Sequence, residues 1–320
     1  MTSIITNWQA TSALASLRMA DTDLNRTQTM MSSGLRINRA SDDAAYWSIA
    51  TTMRSDNKAL SSVKDSLNLA LSIVDTAFAA QGTVLDNLSA LMSDLVVGRS
   101  NQSDTTLLHK LENDMLARIK AISATITAAS FNGVNLLYHQ TGQPTTFSYV
   151  SSASRGSDGT FAVQTVDVDL SSISLIDDVA TAGVLSKSYT DRFAATSGRV
   201  LFRDFGPTQW QPTLFQSWGG FAQQPKATVT AHIDIMDQLN KAAITSFAQL
   251  GAIRASLASQ LDHVNRQAET GTKGIGRLVD ADMNEESARL KADQVRQQLS
   301  IQTLSIANDR PKTLLQLFAN

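Results

Sequence analysis

The 320-residue chain contains no cysteine, which excludes disulfides, thiolate nucleophiles and cysteine metal sites. Only 4 histidines occur, none of them in 140–225 and none in a His-Glu-x-x-His pattern, so neither that pattern nor a cysteine cluster is there to mark a hydrolytic metal site. No run of 18 apolar residues is present, which removes any expectation of a transmembrane helix. A strong charge of either sign is also missing. The 27 Lys and Arg against 29 Asp and Glu leave a net charge of -2, giving no electrostatic case for nucleic acid or an anionic membrane. The N-terminus, MTSIITNWQATSALASLRMADTD, lacks a basic n-region, a long apolar h-region and a typical cleavage site. It is not an ordinary signal peptide, and export would need another route.

What is present is long apolar periodicity. Between 59 and 95, Leu60, Val63, Leu67, Ala70, Val74, Ala77, Val84, Leu88, Leu91 and Leu95 recur at alternating steps of three and four. Only Gln81 interrupts the row. This a/d pattern predicts a helix that lays one stripe against another helix. At 1.5 Å per residue it is roughly 50 Å long, more like part of a rod or bundle than of a compact enzyme. Hydrophobic residues make up 42% of the chain, enough for a sizeable core, and the length suits about two or three domains.

Taken in order, residues 10–33 carry a modest stripe (Ala10, Ala13, Leu14, Leu17, Ala20, Leu24). Ser33-Gly34 breaks it. Ser41, Asp42 and Asp43 are candidate caps for a helix starting near Ala44, and Tyr46 and Trp47 are packing residues for a helix–helix seam. Residues 98–106 read as a loop. A third helix follows through Leu108, Leu111, Met115, Ile119, Ile122 and Ile126, ending before Gly133, of a length to fold back antiparallel. His109 and Glu112 alone make a weak metal signal and read as a solvated pair.

Composition changes near 140. Four of the five prolines (Pro144, Pro207, Pro212, Pro225) and eleven of the 19 aromatics lie between 144 and 225. TTFSYV and TFAVQTVDVDL are short and β-prone, so 140–225 reads as a β-rich or α+β insert. Asp167, Asp169, Asp177 and Asp178 miss the calcium-loop spacing and read as surface carboxylates. Trp210, Phe215, Trp218 and Phe221 suit a small core or a ligand face. Helical pattern returns after Pro225 through Ile233, Met236, Phe247, Leu250, Leu257, Leu261 and Val264, with a weak point at Gly271–Gly276. Gly274-Ile275-Gly276 lacks the preceding strand and third glycine of a dinucleotide site. A last helix from Asp280 carries Ala288, Ala292, Val295 and Leu299, flanked by Ile301 and Leu304, and is expected to end near Ala307-Asn308, before Pro311. The fold class is therefore mainly α: a long-helix bundle whose two ends flank an inserted outer domain.

The segments SSGLRINRASDDAAYWSIATTMRSD (32–56), FNGVNLL (131–137), LGAIRASLASQLDHV (250–264) and DADMNEESARLKADQVRQQLSIQTLSIANDRP (280–311) resemble bacterial flagellins. The Tyr46-Trp47 variant is similar to those of alphaproteobacteria such as the rhizobia. The resemblance covers about 1–140 and 226–320. It implies a non-enzymatic structural subunit of the extracellular flagellar filament, polymerising for swimming motility, with no cofactor. A hook–filament junction protein, which shares the terminal pattern, is the alternative. It further implies coiled-coil-like paired terminal helices, 1–40 with 281–320, as the inner layer. Residues 41–140 with 226–280 form a helical rod outside it, and 141–225 a variable surface insert. Implied partners are further copies in an open helical homo-oligomer, other co-assembling flagellins, the type III flagellar export apparatus and its chaperone, the filament cap and the junction proteins. Neither nucleic acid nor membrane insertion is implied. Assembly and packing residues are then Leu14, Leu17, Leu24, Tyr46, Trp47, Leu60, Leu67, Leu88, Leu95, Val295, Leu299 and Leu304. Many flagellins engage an innate immune receptor through an arginine in the 84–96 helix. Here that stretch, VLDNLSALMSDLV, has none, so weak or absent activation is expected.

Overall fold

The computed structural model describes residues 7–140, 142–156, 158–177, 183–186, 202–204, 210–212 and 224–318, with backbone alone at 202–204, 210–212 and 310–318. Asp178, Phe215, Trp218 and Phe221, and the side chain of Trp210, lie outside that description. The described helices are α1 (Trp8–Ser33), α2 (Ala44–Ser100), α3 (Thr105–Ala128), α4 (Lys226–Val279) and α5 (Met283–Phe318). None of the described helices is long and apolar enough to cross a membrane.

Local chemistry sets the helix ends. Asn7 caps α1, its Oδ1 accepting from the Ala10 N–H at 3.0 Å. Gly34, at φ 70°, closes the helix by donating its N–H to the Met30 carbonyl, a left-handed cap that a residue with Cβ resists. Asp42 Oδ2 accepts from the N–H groups of Asn38 and Arg39, both at 3.0 Å. Asp43 Oδ1 accepts from Ala45 and Tyr46 at 3.0 and 3.1 Å, starting α2 where its sequence predicts. α2 runs further than expected, to Ser100, so the predicted 98–106 loop shrinks to four residues before Thr105.

Two compact units result, Ala59–Arg266 and Met1–Lys58 with Gln267–Asn320. In the first, the predicted α2 stripe is buried, as are Leu108, Leu111, Met115, Ile119, Ile122 and Ile126 of α3. α4 buries Val229, His232, Met236, Leu239, Ala243, Ser246, Leu250, Leu257 and Val264, again at steps of three and four or their sum. Gln81 is fully buried, and its amide nitrogen is used. Its Nε2 donates to Ser246 Oγ at 2.9 Å, and Ser246 Oγ donates to the Ile173 carbonyl, also at 2.9 Å. The apolar row is interrupted where a segment after α3 is fastened to it.

That middle segment is β-containing, as its composition predicts. β1 (Ser130–Phe131) and β2 (Val134–Asn135) form a tight hairpin through Asn132 and Gly133, both at positive φ. β3 (Tyr138–His139) pairs in parallel with β6 (Ile176–Asp177). β4 (Thr146–Arg155) and β5 (Phe161–Asp169) form the longest described hairpin, with a register shift at Val150–Ser152. β7 (Phe202–Asp204) pairs with β8 (Trp210–Pro212). Asp177 corrects the expectation of a surface carboxylate. It is buried, with Oδ1 3.1 Å from His139 Nδ1, while His139 Nε2 lies 3.0 Å from the Gln143 carbonyl. Asp169 is exposed and caps the short 3-10 turn Leu170–Ser172 through the Ser171 N–H at 2.9 Å.

Two further expectations are corrected in the other unit. Gly271–Gly276 is not a break, since α4 is continuous to Val279. Its glycines permit close approach. A Cβ on Gly271 would stand 2.9 Å from Asn57 Oδ1, and one on Gly274 would stand 3.0 Å from Met53 Cε. The last helix does not stop at 307–308 but continues through Pro311 to Phe318. Proline has no N–H for the carbonyl four residues back. That carbonyl, of Ala307, accepts instead from Asn7 Nδ2 at 2.8 Å.

Candidate assembly interface

The terminal helices α1 and α5 pack against each other as an antiparallel pair within one unit. On α1 the inward positions are Ala13, Leu17, Ala20, Leu24, Thr27 and Met30, at coiled-coil spacing. On α5 they are Glu286, Leu290, Asp293, Gln297, Ser300, Leu304 and Ala307. The spacing is the same, but four of the seven are polar. Thr27 Oγ1 donates to Asp293 Oδ2 at 2.9 Å, in a buried bond. Arg296 Nη1 lies 3.3 Å from both Asp293 Oδ1 and Asp23 Oδ2. Gln297 Nε2 donates to Asp21 Oδ1 at 2.6 Å.

Apart from Leu290, Leu304 and Ala307, several large apolar residues of α5 are turned outward. Val295, Leu299 and Ile306 are 54%, 56% and 64% exposed, and Met283 and Ile301 are also exposed. α1 adds exposed Trp8, Leu14 and Met19. A helix that buries its polar stripe and presents its aliphatic one gains little from its own partner by the hydrophobic effect. Each uncovered aliphatic side chain keeps free energy that only a further surface can release.

The residues singled out from sequence fall into four groups. Leu17, Leu24 and Leu304 meet in the α1–α5 seam, whereas Leu14, Val295 and Leu299 lie outside it. Trp47 packs against a small cluster of Ile37, Ala50, Ile275 and Val279, and Tyr46 is exposed with the Arg36 guanidinium 5.9 Å from its ring centre. Leu60, Leu67, Leu88 and Leu95 are buried in the core of the central unit. The same cluster is closed by Arg36, whose Nη2 donates to the Leu278 carbonyl at 2.7 Å near the end of α4. Close by, the backbone N–H groups of Arg39 and then Asn38 hold the Asp42 carboxyl below the ordinary carboxylate range.

Asn7, Asp21, Thr27, Asp293 and Gln297 were not legible as interface residues in an apolar search. The signal that finds Asp293 and Gln297 is the unbroken 286-290-293-297-300-304-307 spacing, read without regard to polarity, and the 13-17-20-24-27-30 spacing finds Thr27 in the same way; Asn7 and Asp21 fall on neither row.

Both ends of the chain match known protein families. The bacterial flagellin N-terminal helical region matches residues 4–141, and the bacterial flagellin C-terminal helical region matches residues 233–318. Flagellin C of Rhizobium meliloti is 39% identical, the alignment covering 99% of both chains. Flagellin D of the same species is 33% identical over 402 aligned positions, covering 99% of this chain and 100% of the relative. A flagellin of Brucella melitensis is 33% identical over 99% of each chain. The chain belongs to the bacterial flagellin family.

Proposed function

We propose that this flagellin polymerises into the flagellar filament by covering the outward aliphatic face of α5, with Leu14 and Met19 of α1, by the helices of neighbouring copies. One observation carries the reading: Val295, Leu299 and Ile306 face away from the only helix that α5 pairs with among the described residues. Covered by neighbours in head-to-tail contacts that do not close, such a face builds an open helical polymer. The terminal pair 1–40 with 281–320 forms the inner layer, 41–140 with 226–280 the rod around it, and 141–225 the surface facing the medium. Subunits leave the cell through the flagellar export apparatus with an uncleaved N-terminal segment, accompanied by a chaperone and folded under the filament cap. Other flagellins co-assemble with it, and the role is structural and not catalytic. The junction-protein alternative has no support, since the relatives above are named flagellins.

The test is hydrogen exchange of 8–33 and 283–318 in dilute monomer and in seeded polymer. Fast exchange in monomer and protection in polymer is the expected result. Strong protection of both segments in monomer, or normal filaments from chains lacking 1–33 or 288–320, refutes the proposal.

A further inference from the structure

We infer that the Thr27–Asp293 hydrogen bond is a face selector: it decides which side of α5 turns toward α1, and so which side is presented for assembly. The inference rests on the assembly reading above. α5 has two candidate seams. One runs through Glu286, Asp293, Gln297 and Ser300, with Leu290, Leu304 and Ala307. The other runs through Ala288, Ala292, Val295, Leu299, Gln302 and Ile306, displaced by two residues, about 200° round the helix. Apolar burial alone favours the second, because α1 offers Ala13, Leu17, Ala20, Leu24 and Met30. The structure adopts the first.

What offsets the lost apolar burial is a polar network held between the two helices. Asp293 is 4% exposed and accepts the Thr27 hydroxyl at 2.9 Å. Thr27 is itself 4% exposed and the one polar residue among the buried positions of α1. Arg296 bridges Asp293 to Asp23, and Gln297 reaches Asp21. A buried polar contact between two helices can contribute specificity of orientation more than stability. Rotating α5 by half a turn places Thr27 against aliphatic groups and leaves its hydroxyl only the carbonyl four residues back in its own helix, the bond that Thr22 and Thr29 make, so the contact that ties it to α5 is lost. The exposed side would then carry Glu286, Asp293, Gln297 and Ser300 beside Leu290, Leu304 and Ala307, a poorer aliphatic surface for a neighbour to cover.

The test uses the full chain, whose lack of cysteine makes introduced thiols unique. Ala20→Cys with Ser300→Cys reports the observed face, and Ala20→Cys with Gln302→Cys reports the rotated one, because a disulfide forms only when the two Cα atoms lie within about 7 Å. In both reporters Thr27→Val keeps the shape and removes the donor, while Thr27→Ser keeps the donor. Seeded elongation is measured in the cysteine-free chain with the same changes. Thr27→Ser is expected to cross-link at 20–300 and elongate normally. Thr27→Val is expected to lose the 20–300 cross-link, gain the 20–302 one and raise the critical concentration at least tenfold. Adding Asp293→Leu to Thr27→Val removes the stranded carboxylate and is expected to restore both the 20–300 cross-link and elongation. Thr27→Val that cross-links at 20–300 and elongates like the parent overturns the selector. So do Thr27→Val ends that melt and are not recovered by Asp293→Leu. A parent chain that cross-links at 20–300 but never elongates on seeds overturns the assembly reading and leaves the selector standing.

Discussion

Replacing Leu299 and Leu88 separately by alanine sets the assembly face against the fold. Alanine keeps helix propensity at both positions. Leu88 is completely buried in the central unit. Its truncation removes apolar contact and leaves a cavity, a loss of about 2–5 kcal/mol, or roughly 5–15 °C in melting temperature for a unit of this size. Leu299 is 56% exposed, so truncating it removes little from the isolated subunit. Full burial of a leucine is worth about 1.5–3 kcal/mol, and the uncovered half about 1–1.5 kcal/mol per added subunit. The critical concentration for seeded elongation then rises about 5–12-fold. The assays are calorimetry of the monomer and the sedimentable mass at steady state over a concentration series. Leu88→Ala should lower the melting temperature strongly. Leu299→Ala should leave it within about 2 °C and shift only the critical concentration. A variant Leu299→Ala that melts like Leu88→Ala, with its critical concentration unmoved, refutes the division between an inward polar and an outward aliphatic face.

Asn7→Ala should lose about 1 kcal/mol as a cap and about 1 kcal/mol more by orphaning the Ala307 carbonyl, seen as faster exchange around 8–14 and 307–310 in the seeded polymer. Asn7→Asp keeps the cap acceptor and should lose only the second part. The Asp42 carboxyl has a folded-state pKa below its unfolded value, so its contribution is present above the unfolded pKa and is lost as pH falls through the folded one. Asp42→Asn should therefore loosen the 38–42 link at neutral pH and match the parent in strong acid, as proton exchange at Asn38 and Arg39 would record. Deleting 145–222 with a Gly/Ser joint should still permit seeded polymerisation; a soluble, helical deletion product that never elongates contradicts the assignment of that region as a surface insert.

Much of the fold was written in apolar spacing, because coiled-coil burial leaves a period that a list of side chains displays directly. The α2 stripe from Leu60 to Leu95 is buried almost residue for residue. Where spacing was carried by other chemistry the reading failed. Gly271 and Gly274 look like helix breakers, yet at a helix crossing they are the residues that let Asn57 and Met53 come close. Pro311 looks like a stop, yet the carbonyl it strands is met by a side chain at the far end of the chain. Val295 and Leu299 were found as a stripe, but nothing local says that a helix will turn that stripe away from its own partner. That choice is made by Thr27, 266 positions away from Asp293.

The same separation fixes an order of events. Closing a loop costs entropy that grows as the logarithm of its length. Joining positions 266 residues apart, as Thr27 and Asp293 are, therefore costs about 2 kcal/mol more than joining Arg118 to Asp94, 24 apart. Contacts between near neighbours along the chain form first, and folding of Ala59–Arg266 shortens the path that the two ends must close. The terminal helices are thus the last part of the subunit to mature. Until Asp293 has emerged there is nothing for Thr27 to hold, so a chain delivered progressively from its N-terminus has no finished adhesive surface in transit. On the assembly reading proposed above, chain connectivity itself then delays the adhesive surface, a timer set by how far apart in sequence the two halves of the seam are encoded.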